Sequence, residues 1–242
     1  MKLPQTWDLP DEIKTRFGQT SSGRQRAMAA DGHLVLVLHK APQHGKRERE
    51  GIFFWRKPDG SWEYSGKGSG LRRLTEHIQT YSLAEERLDQ AYDETKDAED
   101  YFRILEQVAP LHHAVRNLYA AMQAARKAVP RDRDIIDLRD WTYNLERTLD
   151  LLYVDTKNAL DFHTARQSEA TARLSLQSVK VADRLNMLAA IFFPVTAIAS
   201  VFGMNLHSGF ENSASGVFWL VFLFGMLSGL ALGKWAVRGT QS

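Results

Sequence analysis

An apolar stretch near the end of the chain is interrupted by a few polar side chains, Asn186, Thr196 and Ser200. The stretch runs from Leu185 to Asn205, reads LNMLAAIFFPVTAIASVFGMN and carries no charged residue. Thr196 lies within it, and Gly203-Met204-Asn205 ends it. Pro194, near the middle, has no N–H and so leaves a backbone carbonyl to find another partner. Neutral hydroxyl and amide side chains offer hydrogen bonds, and a simple hydrophobic anchor would require neither them nor the proline.

Two apolar stretches indicate a membrane hairpin. The first, Leu185 to Met204, and the second, Gly216 to about Val237, are each long enough as helices to cross a hydrocarbon core of roughly 30 Å. The second carries glycines four residues apart, which predicts a smooth ridge for close helix packing, and tryptophans near both ends, as is usual at membrane interfaces. These residues are Gly225, Gly229, Gly233, Trp219 and Trp235.

The basic residues around the hairpin predict its orientation. The loop from Leu206 to Ser215 contains no Lys or Arg. The flanks on the other side are basic, because Arg173, Lys180, Arg184, Lys234 and Arg238 all lie there. By the positive-inside rule, both termini are cytoplasmic and Asn205 faces the outside.

Composition excludes several classes of function. The 242 residues include 31 basic and 29 acidic side chains without a basic cluster, so we expect no nucleic-acid partner. There is no cysteine, which removes disulfides and thiolate metal sites. No combination of nucleophile, base and oxyanion donors is visible, so we expect the protein not to be an enzyme and to need no cofactor.

The first 66 residues predict a small α/β region. A short helix is expected near Asp11 to Phe17, and His33 to Lys40 has the β-branched, Leu-rich character of a buried strand. Ile52 to Arg56 and Ser61 to Tyr64 flank a Pro-Asp-Gly turn and predict a hairpin. This region has room for about three strands.

A helical pair is predicted over residues 67–131. The apolar spacing indicates one helix from Leu71 to about Glu106 and a second that restarts at Pro110 and runs to about Ala128. The glycine-rich segment Gly66 to Gly70 lacks the spacing of a phosphate-binding loop, so we interpret it as a flexible joint with Ser69 near a helix start.

The third segment, residues 132–184, predicts a very long helix, which we call the stalk. Asp132 is a plausible N-cap, and no Gly or Pro follows until Pro194. A helix from Asp132 into the first apolar stretch would be roughly 105 Å long, so we expect it to pack against copies of itself. The fold predicted is therefore a mainly α membrane protein: a small α/β region, a helical pair, a stalk and a two-helix membrane region, residues 185–242.

Acidic residues on these helices allow two interpretations. Either they form solvated faces with i,i+4 partners, or they supply low-affinity divalent-cation sites between subunits. The residues concerned are Glu85, Glu86, Asp89, Asp93, Glu94, Asp97, Glu99, Asp100, Asp132, Asp134, Asp137 and Asp140.

The arrangement of these parts resembles the CorA-type divalent-cation channels. That family has Gly-Met-Asn at the outer end of the first of two C-terminal spans, as in Gly203-Met204-Asn205 here. Upstream, Phe192-Phe193-Pro194-Val195-Thr196 followed by Ala199 is similar to the family's pattern of apolar residues, proline and threonine. The order of cytoplasmic region, helical pair, stalk and spans is also similar, with a shortened cytoplasmic domain.

The resemblance implies how the residues would function. It implies a homopentamer in the inner (plasma) membrane. Five first spans would line the pore, and five second spans would form an outer ring that faces the lipid. Asn205 would form the outer ring that meets the hydrated ion, with Gly203 and Met204 holding its turn. Thr196 would form a second polar ring, and Phe193 and Leu185 would lie at constrictions. The transported ion would be Mg²⁺, Co²⁺ or Ni²⁺, driven by the membrane potential.

Two alternatives remain open from the sequence. A zinc-transporting branch shares this architecture, and His207 lies two residues beyond Asn205. Alternatively, the chain is a membrane-anchored oligomeric scaffold whose spans only tether it. The scaffold interpretation explains the stalk and the glycine ridge, but it gives no reason for Pro194, Thr196 and Asn205 at these spacings.

Overall fold

The chain forms a small sheet and a set of long helices. The structure is a computed structural model that describes residues 4, 6–18, 23–42, 50–203 and 216–238. Two compact units are present, Met1–Ala165 and Arg166–Ser242. In chain order the elements of the described residues are α1 (Asp11–Lys14), β1 (Arg26–Ala30), β2 (His33–His39), β3 (Gly51–Arg56), β4 (Trp62–Tyr64), α2 (Gly70–Glu94), α3 (Ala98–Ala128), α4 (Arg133–Gly203) and α5 (Gly216–Arg238).

The sheet is an antiparallel meander in the order β1-β2-β3-β4. Both of its faces are covered, which explains why β2 is a continuous apolar run instead of an alternating one. Leu34, Leu36 and Leu38 pack with residues of α2, α3 and α4. Val35 and Val37 point to the other face, where the N-terminal segment supplies the cover. That cover consists of Trp7, Leu9, Ile13 and the half-buried Phe17.

The described residues form four strands, so the expectation of about three was wrong. The additional strand, β1, has the sequence RAMAA with Met28 buried. It pairs with β2 from Arg26↔Val37 to Ala30↔His33. Asp31 and Gly32 join the two strands with positive φ angles of 48° and 77°. Asp-Gly with both residues in this region is typical of a tight hairpin, and this is the signal that would have revealed β1.

The break in the helical pair is also not where the sequence predicted it. Pro110 lies inside α3, and the chain instead leaves the helix at Thr95 and re-enters it after Asp97. The Asp97 carboxylate accepts a hydrogen bond from the Asp100 N–H at 3.0 Å, which caps the first turn of α3. Pro110 lies on the exposed side, where a missing helical hydrogen bond can be replaced by water.

The glycine-rich segment before α2 has a structural explanation. Gly68 has a φ of 116°, which disfavours any side chain. A Cβ on Gly70 would lie 2.5 Å from the Trp62 carbonyl carbon and 2.6 Å from the Glu63 nitrogen. Gly70 therefore allows the first turn of α2 to approach the β4 backbone. Ser69 stands at the N-cap position as expected, but its side chain makes no capping hydrogen bond.

The long helix predicted from the sequence is confirmed. α4 runs without interruption for 71 residues and contains Pro194. Its start is also confirmed, because Asp132 Oδ1 accepts a hydrogen bond from the Ile135 N–H at 3.1 Å. The first half packs in the core of the N-terminal unit through Ile135, Leu138, Leu145, Leu149 and Leu152. Its later part contains a stretch that is long and apolar enough to cross a membrane.

Candidate functional site

The packing of α5 on α4 divides the surface of α4 near Pro194 into two sides. Gly225 and Gly229 of α5 are buried, and each would bring an added Cβ into contact with α4. At Gly225 the contact is the Ile198 side chain, and at Gly229 it is the backbone of Ala190 and Ile191. The glycine ridge predicted from the sequence therefore makes the close helix approach expected of it at these two positions.

The residues predicted to line a pore lie on the other side of α4. At about 100° per residue, Thr196 is only about 20° around the helix from Leu185, and Phe193 is about 80° away. Ala190, Pro194 and Ile198 lie between about 140° and 220° from Leu185. Leu185 is 61% exposed and Phe193 is 72% exposed, and Thr196 is also exposed. One chain therefore leaves the face bearing all three uncovered, and this face is the candidate site.

Thr196 presents a hydrogen-bond acceptor on this face. Its hydroxyl donates to the Phe192 carbonyl, one turn earlier in α4, at 2.7 Å. Because the only hydroxyl hydrogen is used within the helix, the oxygen's lone pairs are left for another donor. Water bound to a metal cation directs its hydrogens outward, so such an oxygen suits a hydrated cation.

The predicted pore entrance is only partly described. Gly203 is the last residue of α4, and Met204 and Asn205 lie outside the described residues. Gly203 is 18 residues from Leu185, which is five full helical turns. The helix therefore ends on the same side of α4 as Leu185 and Thr196.

The acidic residues do not assemble into a metal site in the part of the chain that the structure describes, where no group of three or more His, Asp or Glu residues could hold a metal. Several are instead paired within their own helix. Glu99 and Asp100 both contact Arg103, at 2.5 and 3.1 Å. Burial, with Asp89 and Glu86 nearby, raises the pKa of Glu85. The exposed pairs with Arg103 support the interpretation of Glu99 and Asp100 as part of a solvated face.

Sequence reasoning missed the second function of Asp132. Its Oδ2 accepts a hydrogen bond from Arg56 Nε at 2.5 Å, and the two side chains are only 10% and 15% exposed. The pair therefore connects the end of β3 with the start of α4. Nothing in the spacing of two residues 76 positions apart could indicate this contact.

A comparison with known protein families gives a match over most of the chain. The sequence profile of the CorA-like Mg²⁺ transporter protein family matches residues 71–237, which is most of the chain. Among curated proteins no sequence match is found.

Two solved structures have a similar fold, and a third is a weaker match. The full-length CmaX protein has a TM-score of 0.55 at 12% identity, and the match covers 98% of this chain and 83% of that one. The ZntB cytoplasmic domain from Vibrio parahaemolyticus has a TM-score of 0.52 at 10% identity over 67% of this chain and 80% of that one. The CorA magnesium transporter from Methanocaldococcus jannaschii has a TM-score of 0.49 at 15% identity, over 93% and 82%.

Proposed function

Because the chain belongs to the family of CorA-like Mg²⁺ transporter proteins, we propose that it conducts hydrated divalent cations, Mg²⁺ first among them, through a pore lined by α4. The observation that carries this proposal is the uncovered face of α4. Leu185, Phe193 and Thr196 lie on it, opposite the side that α5 packs against. A helix with one side covered by its own hairpin partner and the other free is suited to surround a central axis together with copies of itself.

A homopentamer in the inner membrane is the assembly we propose. The basic residues on both flanks of the hairpin support a cytoplasmic location for the termini and the N-terminal unit, with Asn205 outside. Five copies would bring five Asn205 amides together at the entrance and five Thr196 hydroxyls below them. Gly203 and Met204 would hold the turn that carries Asn205, and Leu185 and Phe193 would form apolar constrictions.

The chemistry of neutral oxygen ligands fits a cation that keeps its water. Mg²⁺ loses its hydration shell reluctantly, so an entrance that accepts hydrogen bonds from bound water requires no dehydration. Thr196 fits this requirement because its hydroxyl hydrogen is already donated to Phe192. An inside-negative potential contributes roughly 2.3 kcal/mol per charge per 100 mV, and about twice this for a divalent ion, so uptake needs no other energy source.

Flux into proteoliposomes tests the proposal. Purified protein is reconstituted, and entry of Mg²⁺, Co²⁺, Ni²⁺ and Zn²⁺ is followed with an ion-sensitive dye under an inside-negative potential. We expect Mg²⁺ flux in the wild type and its loss in Asn205→Ala. Asn205→Asp should retain entry but slow it, because a ring of carboxylates binds the cation more tightly and releases it more slowly.

Three outcomes would contradict parts of the proposal. Wild-type flux no higher than in empty vesicles would refute transport and favour the scaffold. Unchanged flux in Asn205→Ala would refute the proposed entrance. Faster entry of Zn²⁺ than of Mg²⁺ would identify a zinc transporter of the same architecture. The mass of the assembly in mild detergent, five copies of a 27.5 kDa chain, tests the pentamer separately.

A further inference from the structure

Gly229 of α5 lies against the part of α4 where Pro194 interrupts the helical hydrogen bonding. Pro194 has no N–H, so the Ala190 carbonyl does not receive the usual bond from four residues later. A Cβ added to Gly229 would lie 2.9 Å from that same carbonyl oxygen. It would also lie 2.9 Å from Ile191 Cα and 3.3 Å from the Ile191 carbonyl oxygen.

Glycine at this position has two physical consequences. The hydrogen that stands in place of a side chain faces the Ala190 carbonyl, where a Cα–H group can make a weak hydrogen bond. No side chain separates the two backbones, so α5 itself covers the carbonyl that Pro194 leaves without a helical donor. In lipid, a backbone carbonyl without a hydrogen-bond partner costs free energy, so contact with α5 favours the packed hairpin.

Gly225, the neighbouring glycine of the ridge, differs from Gly229 in the kind of atom that an added Cβ would meet. A Cβ on Gly225 would meet only the Ile198 Cδ1 atom, at 2.7 Å. That atom is the end of a flexible side chain, which can rotate away. The atoms that Gly229 contacts are backbone atoms, which can move only if α4 itself shifts or turns. Both glycines are buried in the same hairpin, so they form a matched pair for comparison.

We propose that Gly229 is a positioning residue of the conduit, which fixes the rotation of α4 at Pro194 and thereby directs Thr196 and Phe193 to the uncovered face. Pro194 lies about 160° around the helix from Thr196. A rotation of α4 that relieves a clash at Gly229 would therefore also turn the Thr196 hydroxyl away from the uncovered face. The effect on flux rests on the proposed transport function. The direction of the α4 side chains does not rest on it and can be measured separately.

The absence of cysteine from the chain allows a direct measurement of this rotation. Thr196→Cys on the uncovered face and Val195→Cys on the half-buried side serve as single reporters for a water-soluble thiol reagent. Each is combined with Gly229→Ala or Gly225→Ala in the full chain in liposomes. We expect Gly229→Ala to lower the reactivity ratio of position 196 to position 195 by about fivefold or more and, in the chain without a cysteine reporter, to lower Mg²⁺ flux about tenfold. Gly225→Ala should change both by less than about twofold.

A double-substitution comparison links the effect to the proline. Pro194→Ala restores the helical hydrogen bond to the Ala190 carbonyl and so stiffens α4 at this point. The Cβ of Gly229→Ala should then displace α5 more than it turns α4, so the reactivity ratio should fall much less in that background. Equal reductions in the two backgrounds would overturn the proposal. So would an unchanged ratio in Gly229→Ala, or dissociation of the oligomer in that variant. If the wild type carries no cation, transport is refuted while the reactivity ratio still decides the role of Gly229.

Discussion

His77 is a histidine held without charge by its surroundings. It lies in α2, is 8% exposed, and contacts the rings of Phe54 and Tyr81. Burial lowers its pKa from 6.5 to about 4, and the nearby His39 and Lys40 lower it further. A hydrogen bond with the His39 backbone has the opposite effect but does not cancel the shift. Its Nε2 atom is buried without a hydrogen-bond partner. Protonation would therefore place a charge in the core between the sheet and α2.

The lowered pKa of His77 predicts how stability depends on pH. Between about pH 6.5 and pH 4 the unfolded chain binds a proton that the folded chain does not, so the free energy of unfolding falls as pH falls through this window. The loss should approach on the order of 3 kcal/mol at the acid end. Urea unfolding of His77→Phe at pH 7.5 and 5 should show a smaller decrease than wild type. The exposed His113→Gln is the control, and an equal decrease in all three proteins would refute this origin.

Asp132 combines two interactions in one carboxylate, since one oxygen caps α4 and the other pairs with Arg56. Removing it should leave Arg56 with a largely buried, unpaired charge. We expect Asp132→Ala to lower the free energy of unfolding by roughly 3 kcal/mol. Asp132→Asn keeps a capping oxygen and should cost less.

An exposed ion pair provides the comparison for Asp132. Glu169 and Arg173 contact each other at 2.6 Å, with 63% and 75% of their side chains exposed. Glu169→Ala should cost about 0.5 kcal/mol or less in the same denaturation measurement. If Asp132→Ala is no more destabilising than Glu169→Ala, the Arg56 contact contributes nothing to the fold.

At the level of elements, helix α3 shows where local sequence rules gave the wrong boundary. Proline normally ends or bends a helix, so the sequence predicted a break before Pro110. The structure places the break at Thr95 to Asp97, where the Asp97 cap supplies the first turn of α3 with a hydrogen bond. Buried residues on both sides of Pro110, Val108 and Leu111, belong to one core. Packing of a continuous apolar face therefore outweighs the cost of one lost hydrogen bond.

Replacing this proline tests that explanation. Pro110 is exposed and makes no contribution to the core that Ala would remove, whereas Ala restores the N–H and has a much higher helix propensity. We expect Pro110→Ala to raise the free energy of unfolding by about 1 kcal/mol or more, as measured by thermal or urea denaturation. Destabilisation would instead mean that α3 requires a bend at this residue.

The elements that the sequence predicted correctly are those whose signals are local. A buried strand at His33–His39, the Asp132 cap and an uninterrupted α4 all follow from apolar spacing and from the positions of Gly and Pro. Strand β1 is different, because only Met28 of its five residues is a large buried side chain. Its strand conformation depends on pairing with β2, which apolar spacing alone does not reveal.

For the whole molecule, the candidate site depends both on helical spacing, which the sequence provides, and on helix packing, which only the structure provides. Helical geometry alone places Leu185 and Thr196 on one side of α4, so this part was predictable. The side that α5 covers was not, because it depends on which atoms Gly225 and Gly229 meet. Likewise, a glycine ridge in the sequence does not reveal that Gly229 faces the backbone just before Pro194.

The orientation in the membrane gives a prediction for the whole chain. Because the natural chain has no cysteine, Ser208→Cys and Ser242→Cys each create a single label site. In intact cells a membrane-impermeant maleimide should label the first and not the second, since the basic flanks are retained in the cytoplasm. After cell lysis both should react. Labelling at position 242 in intact cells would reverse the proposed orientation.

The order of the strands bears on how the protein is made. Neighbours in the sheet are also neighbours in the chain, so β1 to β4 pair using only residues 26–64. Contacts between nearby residues form early, and N-terminal segments fold first during synthesis. The apolar stretch begins at Leu185, about 120 residues after β4. All residues of the sheet would therefore have emerged from the ribosome well before that stretch does. The membrane insertion machinery would then receive a chain whose aromatic strands are already paired and protected from aggregation.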